Sequence, residues 1–259
     1  MTPAELLGSA GGMAWACCVA FAAGIAHGLS GFGFPLISTP TMALVSEVRT
    51  AVLVTLFPNI AINMVSAASG AGWRDNLRRY WPMPLWVLVG TVIGTQVVIW
   101  APVNLLRLLL AAMIVVYLRQ DSLRMVDWSA INRHPARSGA IVGLVGGFLS
   151  GTVNVMLPPL LIYFTTLQVP ALAMTQVLNA CFLVGKVSQA AVFAAHGLFD
   201  AHGLLLTIPV TGVALLGFWV GLRLQPRVRP EVYKRVIRGV LWAMAALLLG
   251  QAAWALATP

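Results

Sequence analysis

The chain has 259 residues, of which 59% are hydrophobic and only 9% charged, and its mean hydropathy is +0.88. Soluble domains carry roughly 25% charged residues, so an ordinary soluble fold is excluded. The net charge of +9 does not mark a nucleic-acid binder, because 13 of the 16 Lys/Arg fall in the short stretches 74–79, 119–137 and 223–238, as they do in cytoplasmic loops of membrane proteins.

In chain order, the N-terminus (Met1-Thr2-Pro3-Ala4-Glu5) has no cationic n-region, so a cleaved signal peptide is not expected. Apolar runs then predict membrane helices near 10–28, 50–70, 82–101, 104–119, 139–150 with 153–168, 172–195, 203–222 and 238–257. A shorter run covers 34–46. About 18 or more apolar residues suffice to cross ~30 Å of hydrocarbon. Trp81 and Trp100 sit at span ends, as interfacial anchors do. Cys17, Cys18 and Cys181 lie inside apolar runs without metal-ligand spacing and read as small buried hydrophobes.

Placing the three basic stretches in the cytoplasm determines the crossings. The run 138–168 must begin and end on one side, and so must 10–46. Each is therefore a helix pair broken in the middle, with the N-terminus, the 46–50 turn and the 196–202 loop outside. The expected fold is an all-α integral membrane protein built as an inverted repeat. Each half is a broken or hairpin helix pair plus three spans, giving about eight hydrophobic segments and up to ten helices. The halves are 1–120 and 138–259, joined by a cytoplasmic linker at 121–137. Such inverted repeats underlie alternating access in many carriers.

The two broken pairs are one element written twice. Ser30-Gly31 falls on Ser150-Gly151, Thr55 on Thr175 and Asn59 on Asn179, each 120 positions apart. Non-helical backbone survives in hydrocarbon only inside protein or beside a water-filled cavity. Gly28, Gly31 and Gly33 tolerate unusual backbone angles, and Pro35, Pro40, Pro158 and Pro159 suit the start of a new helix. Two helices thus begin at the breaks, and their positive ends are expected to point toward a shared centre that favours anions.

The candidate substrate site therefore comprises Ser30, Gly31, Phe32, Gly33 and Phe34 at the first break, and Ser150, Gly151, Thr152 and Asn154 at the second. Asn59 and Asn179 add amides from the neighbouring spans. Lys186 is the one Lys or Arg well inside a predicted span, and a central cation costs at least ~2.5–3.5 kcal/mol. It reads as the counter-charge of an anionic substrate. Gln176 shares its helix face, and Thr55, Asn63 and Ser66 extend the face opposite. His27, beside the first break, is a candidate for ion coupling.

All seven Asp and Glu residues fall in loops or at span ends, which argues against a cation substrate. His196, Asp200 and His202 are close in sequence, but their spacing does not indicate a metal, and no metal or cofactor is expected. No nucleophile–base pairing is present, so the chain is not expected to be an enzyme.

These motifs resemble the sulfite exporter TauE/SafE family, also grouped as toluene-sulfonate uptake permeases. The family's first-half Gly-x-Gly-Gly-Gly-x-x-x-x-Pro pattern is matched by Gly31-Phe32-Gly33-Phe34-Pro35-Leu36-Ile37-Ser38-Thr39-Pro40, with Phe34 and Pro35 in place of two glycines. The second-half pattern is matched by Gly147 to Gly151 and by Leu157-Pro158-Pro159-Leu160-Leu161-Ile162-Tyr163, with Asn154 and Leu157 where glycines are usual. The resemblance implies transport of a sulfur-containing anion (sulfite, thiosulfate or an organosulfonate) across the inner, cytoplasmic membrane by a multi-pass protein. A carrier of another small organic anion such as a carboxylate, or a membrane-embedded enzyme or maturation factor, is the alternative. Expected partners are the small anionic substrate and membrane lipids, not nucleic acid. A homo-oligomer and a coupling ion, H+ or Na+, are left open.

Overall fold

A computed structural model of the chain describes residues 2–119 and 128–257. Part of the expected linker, including Arg124, lies outside the described residues. Thirteen α-helices are described: α1 (Pro3–Gly8), α2 (Ala10–Ser30), α3 (Phe34–Ala43), α4 (Val48–Ala67), α5 (Trp73–Tyr80), α6 (Pro82–Trp100), α7 (Val103–Leu118), α8 (Ser129–Arg133), α9 (Pro135–Val153), α10 (Leu157–Thr166), α11 (Ala171–Ala195), α12 (Ala201–Leu224) and α13 (Pro230–Ala257). No strand occurs among the described residues. Seven helices (α2, α4, α6, α9, α11, α12 and α13) are long and apolar enough to cross a membrane, and the chain is an all-α, multi-pass membrane protein.

Local chemistry sets the helix ends. Thr2 and Glu5 form a reciprocal capping box on α1, Ser9 caps α2 by accepting from Gly12 N–H, and Asp200 caps α12 through His202 and Gly203 N–H. Helix α2 stops at Gly31, whose φ of 79° is left-handed, and α3 starts after Gly33 at φ 108°. Asn154 ends α9 with φ 63°. Three short helices go beyond the expected spans: α1, α5 and α8. The last helix also starts eight residues before the expected 238, drawing basic residues into its first turns.

The breaks at 31–33 and 154–156 divide each pair unequally. Helices α3 and α10 have ten residues each, about 15 Å of rise and roughly half the hydrocarbon thickness. Helix α3 folds back along α2: Phe34 adjoins His27, and Met42 shares a cavity wall with Ala16.

Packing gives each helix its direction. Gly24 and Gly28 of α2 lie against Ala214–Phe218 and Phe218–Leu222 of α12, so these two run parallel. Gly90 and Gly94 of α6 lie against Leu144 and Phe148 of α9, again parallel. The first break touches α4 at Ser66 and α11 at Thr175. The second touches α4 at Thr55 and, through Asn154, α11 at Lys186. Helices α4 and α11 are therefore antiparallel, and α9 runs opposite to α2. Consequently the basic residues before α6, before α9 and after α12 gather at one end of the bundle. Helices α4 and α11 are also the most enclosed spans, 72% and 61% buried against 28–50% for the other five. They form the axis of the molecule.

Candidate functional site

At the second break, Lys186 Nζ donates to three neutral oxygens: Ser150 O at 3.2 Å, Gln189 Oε1 at 2.5 Å and Asn154 Oδ1. Lys186, Gln189 and Ser150 are fully buried and Asn154 is 1% exposed. Asn154 Nδ2 reaches across to the first half, donating to Thr39 Oγ1 at 2.8 Å and Thr55 Oγ1 at 3.4 Å. Gln189 Nε2 donates to Gly151 O at 2.8 Å. All three ammonium protons are met, yet no Asp or Glu is buried among the described residues. In its protonated form Lys186 has its hydrogen bonds satisfied but its charge uncompensated. That imbalance in a low-dielectric interior favours an anion.

At the first break, His27 Nε2 lies 3.0 Å from Ser66 Oγ, and His27 Nδ1 accepts from Phe34 N–H at 3.4 Å. The accepting Nδ1 places the proton of the neutral ring on Nε2, pointing at Ser66. Asn179 Nδ2 donates to Gly31 O and to Thr175 O, both at 2.7 Å.

The two breaks do not meet at one point. Thr55 and Ser66 mark their levels on α4 and are eleven residues apart, about 16 Å of rise. Thr175 and Lys186 repeat that interval on α11. Between the levels stand Asn59, Asn63 and Asn179. Asn63 Nδ2 donates to Asn59 O at 2.7 Å and to Asn59 Oδ1. Asn59 Nδ2 and Asn63 Oδ1 are buried without a protein hydrogen-bond partner, as is Ser150 Oγ beside Lys186. Each such buried orphan costs roughly 1–3 kcal/mol unless something pairs with it. With their neighbours along α4 and α11 they form a polar column in the apolar interior.

The ends of the column differ. At the basic end, Gln176 is 1% exposed and closes the loop after α4: its Nε2 donates to Ser69 O at 2.7 Å and Ala71 O at 3.4 Å, and its Oε1 accepts from Asn76 Nδ2 at 2.7 Å. At the opposite end, a cavity of about 540 Å³ opens between α1, α4, the 197–200 loop and α12. Glu47, Arg49 and Asp200 lie at its wall, and Phe57 reaches it from α4. Phe57 and Phe199 meet there at 5.7 Å between ring centroids, two residues along α4 from Thr55. A cavity thus lies at one end of the bundle, and Gln176 ties the 69–76 segment to α11 like a latch at the other. Gln176→Leu removes the latch, and about 1–1.5 kcal/mol of net hydrogen bonding corresponds to roughly tenfold more opening. A cysteine placed at Ala67, buried at the last turn of α4, should then react about tenfold faster with a maleimide, and an unchanged rate would show that Gln176 does not hold that end shut.

A family model, Sulfite exporter TauE/SafE, matches residues 16–248. The chain belongs to the TauE/SafE family. No curated protein and no solved structure matches it significantly. The TauE/SafE match runs from the middle of α2 into α13 and includes both breaks and both central helices.

In this TauE/SafE chain the sequence-derived candidates fall into three groups. Lys186, Asn154 and Ser150 converge at the second break, and Asn59 and Asn179 line the column between the breaks. Gly31, Phe34 and His27 build the first break. There a Cβ on Gly31 would stand 2.7 Å from Thr175 Cγ2. Ser30, Phe32, Gly33, Gly151 and Thr152 serve the local backbone or packing. Ser30 Oγ donates within the break to Ala26 O at 2.8 Å and to Phe32 O. Phe32 packs on the core, Gly33 caps α3, and Thr152 Oγ1 bonds back to Phe148 O at 2.9 Å. A Cβ on Gly151 would stand 2.4 Å from Thr91 O.

Four backbone amides at the breaks already have acceptors within the protein. Gly31 N–H bonds His27 O, Phe34 N–H bonds His27, and Asn154 and Val155 N–H bond Ser150 O and Leu149 O. Pro35, Pro158 and Pro159 have no N–H to offer. Thr39 and Gln189 join the site without having been singled out; Gln189 sits one turn after Lys186, and Thr39 lies in the Ser38-Thr39 pair that interrupts an apolar helix. His196 pairs with Gln96 at 3.0 Å and packs edge-on against Trp100, and Asp200 caps α12. Among the described residues no group of three or more His, Cys, Asp or Glu is placed to hold a metal.

Proposed function

We propose that this transporter-family protein is a secondary carrier of a small sulfur-containing anion (sulfite, thiosulfate or an organosulfonate), which it binds along the column between α4 and α11. The observation that carries this reading is Lys186: fully buried, hydrogen-bonded only to uncharged oxygens, and next to the unpaired hydroxyl of Ser150. An entering anion supplies the missing charge, and the free amide of Asn59 supplies a donor further along. The positive-inside bias puts the latched, basic end in the cytoplasm and the 540 Å³ cavity outside. The two antiparallel halves, taken as 1–120 and 138–259, then rock against each other to close the cavity and release the Gln176 latch.

The test is uptake into proteoliposomes. Labelled sulfite should accumulate at least tenfold over empty vesicles, with unlabelled thiosulfate or taurine competing. Equal transport of acetate would replace the sulfur-anion reading by a carboxylate carrier, and no transport of any anion would remove the carrier reading.

A further inference from the structure

Of the three acceptors around Lys186, two are fixed. Ser150 O belongs to the last turn of α9, and Gln189 lies on Lys186's own helix with its Nε2 tied to Gly151 O. Asn154 is different. It sits in the break itself, in left-handed backbone at φ 63°, a conformation shared among the described non-glycine residues only with Gln168. Its carboxamide is a planar group with one oxygen on the ammonium and its NH2 on two threonine hydroxyls of the other half. A small oxyanion would take over the contact to Lys186, its oxygen accepting from Nζ; at Thr39 and Thr55, whose hydroxyls accept from the amide, the roles would reverse and the hydroxyls would turn to donate to the anion. The buried, unpaired Ser150 Oγ beside it is a donor that an amide NH2 cannot satisfy and an anion oxygen can.

We infer that the Asn154 carboxamide occupies, in the empty protein, the position of the transported anion's oxygen, and that its displacement sets the size of anion Lys186 accepts. This rests on the anion-carrier reading and adds to it a competitor built into the chain. The carboxamide is neutral, so it meets a Lys186 proton without cancelling the charge. A true anion does both, which favours exchange. The bridge from Lys186 to Thr39 and Thr55 also ties the halves together, so loading the site loosens that tie.

Two substitutions move binding in opposite directions. Asn154→Gly keeps the left-handed backbone, which glycine adopts freely, and removes the competitor. Ethanesulfonate, larger than sulfite by its alkyl group, should then gain about tenfold in affinity relative to sulfite. Asn154→Asp instead installs a permanent counter-ion on Lys186. The purified full-length Asn154→Asp protein should melt no lower than the wild type, and sodium sulfite should no longer raise its melting temperature. The inference is overturned if Asn154→Asp retains the wild-type sulfite shift, or if a folded Asn154→Gly protein keeps the wild-type ratio of ethanesulfonate to sulfite affinity. Should Asn154→Gly fail to fold, the Asp variant alone decides. A wild-type protein whose melting temperature responds to neither anion overturns the carrier reading and this inference with it, whereas a responsive wild type with indifferent Asn154 variants overturns only the inference.

Discussion

Lys186→Met should lower anion uptake about a thousandfold while leaving the protein folded. An ammonium and an anion oxygen about 4 Å apart interact by roughly 4 kcal/mol at an effective dielectric constant of about 20, which is three decades in binding. No other cation is placed to replace it, because Lys186 is the one Lys or Arg fully buried among the described residues. Stability should change little, because two effects offset each other. Losing the ammonium removes a desolvation cost of several kcal/mol. It also strands Ser150 O, Asn154 Oδ1 and Gln189 Oε1, at about 1–3 kcal/mol each if they cannot re-pair. Lys186→Arg keeps the charge but replaces three tetrahedrally arranged protons by a flat fork, so it should restore only part of the uptake. Wild-type transport by the Met variant, measured beside its melting curve, would show that the charge is not used.

The helices were legible because hydrocarbon demands long apolar runs, and α2, α4, α6, α9 and α11 start and stop within a few residues of those runs. Gly31, Gly33 and Pro158-Pro159 announced where the pairs break, since few other residues serve at such points. Helices α1, α5 and α8 were not legible. They are short, and α5 (Trp73–Tyr80) is too polar to stand out as an apolar run.

The site was legible at the level of residue type but not of partner. Spacing placed Asn179 and Lys186 on one face. It did not show that Asn179 spends its NH2 on Gly31 O, nor that His27 takes the Phe34 amide. Those pairings depend on how closely two helices approach, and the 120-residue register is silent on that. The same register does set Lys186 against Ser66, and that correspondence already contains the vertical offset of the breaks: each lies against a different end of the same antiparallel pair. A lysine at one break and a histidine–serine pair at the other make the two ends chemically distinct in an otherwise repeated frame.

The close approach of helices leads to the other large expected effect. The two equivalent interfaces, α2 with α12 and α6 with α9, use glycines one turn apart on both partners: Gly24 and Gly28 with Gly217 and Gly221, and Gly90 and Gly94 with Gly147 and Gly151. In lipid there is little hydrophobic drive between helices, so such small-residue contacts hold them together. A Cβ at Gly94 would stand 2.2 Å from Phe148 O, and one at Gly217 would stand 2.3 Å from Phe21 O. Both obstacles are backbone and cannot rotate away, so the helices must separate by about 1 Å or more to reach an ordinary contact distance. Gly94→Val and Gly217→Val should each cost at least about 3 kcal/mol, at or beyond the upper end for overpacking, and leave little folded protein after detergent extraction. Gly212 is on the same helix as Gly217 but has nothing within 4 Å of its added Cβ. Gly212→Ala should therefore be neutral or stabilise by up to ~1 kcal/mol through helix propensity. Equal yields and melting temperatures for Gly217→Val and Gly212→Ala would mean that these helices do not pack backbone to backbone, and the positions assigned to both breaks would fall with that packing.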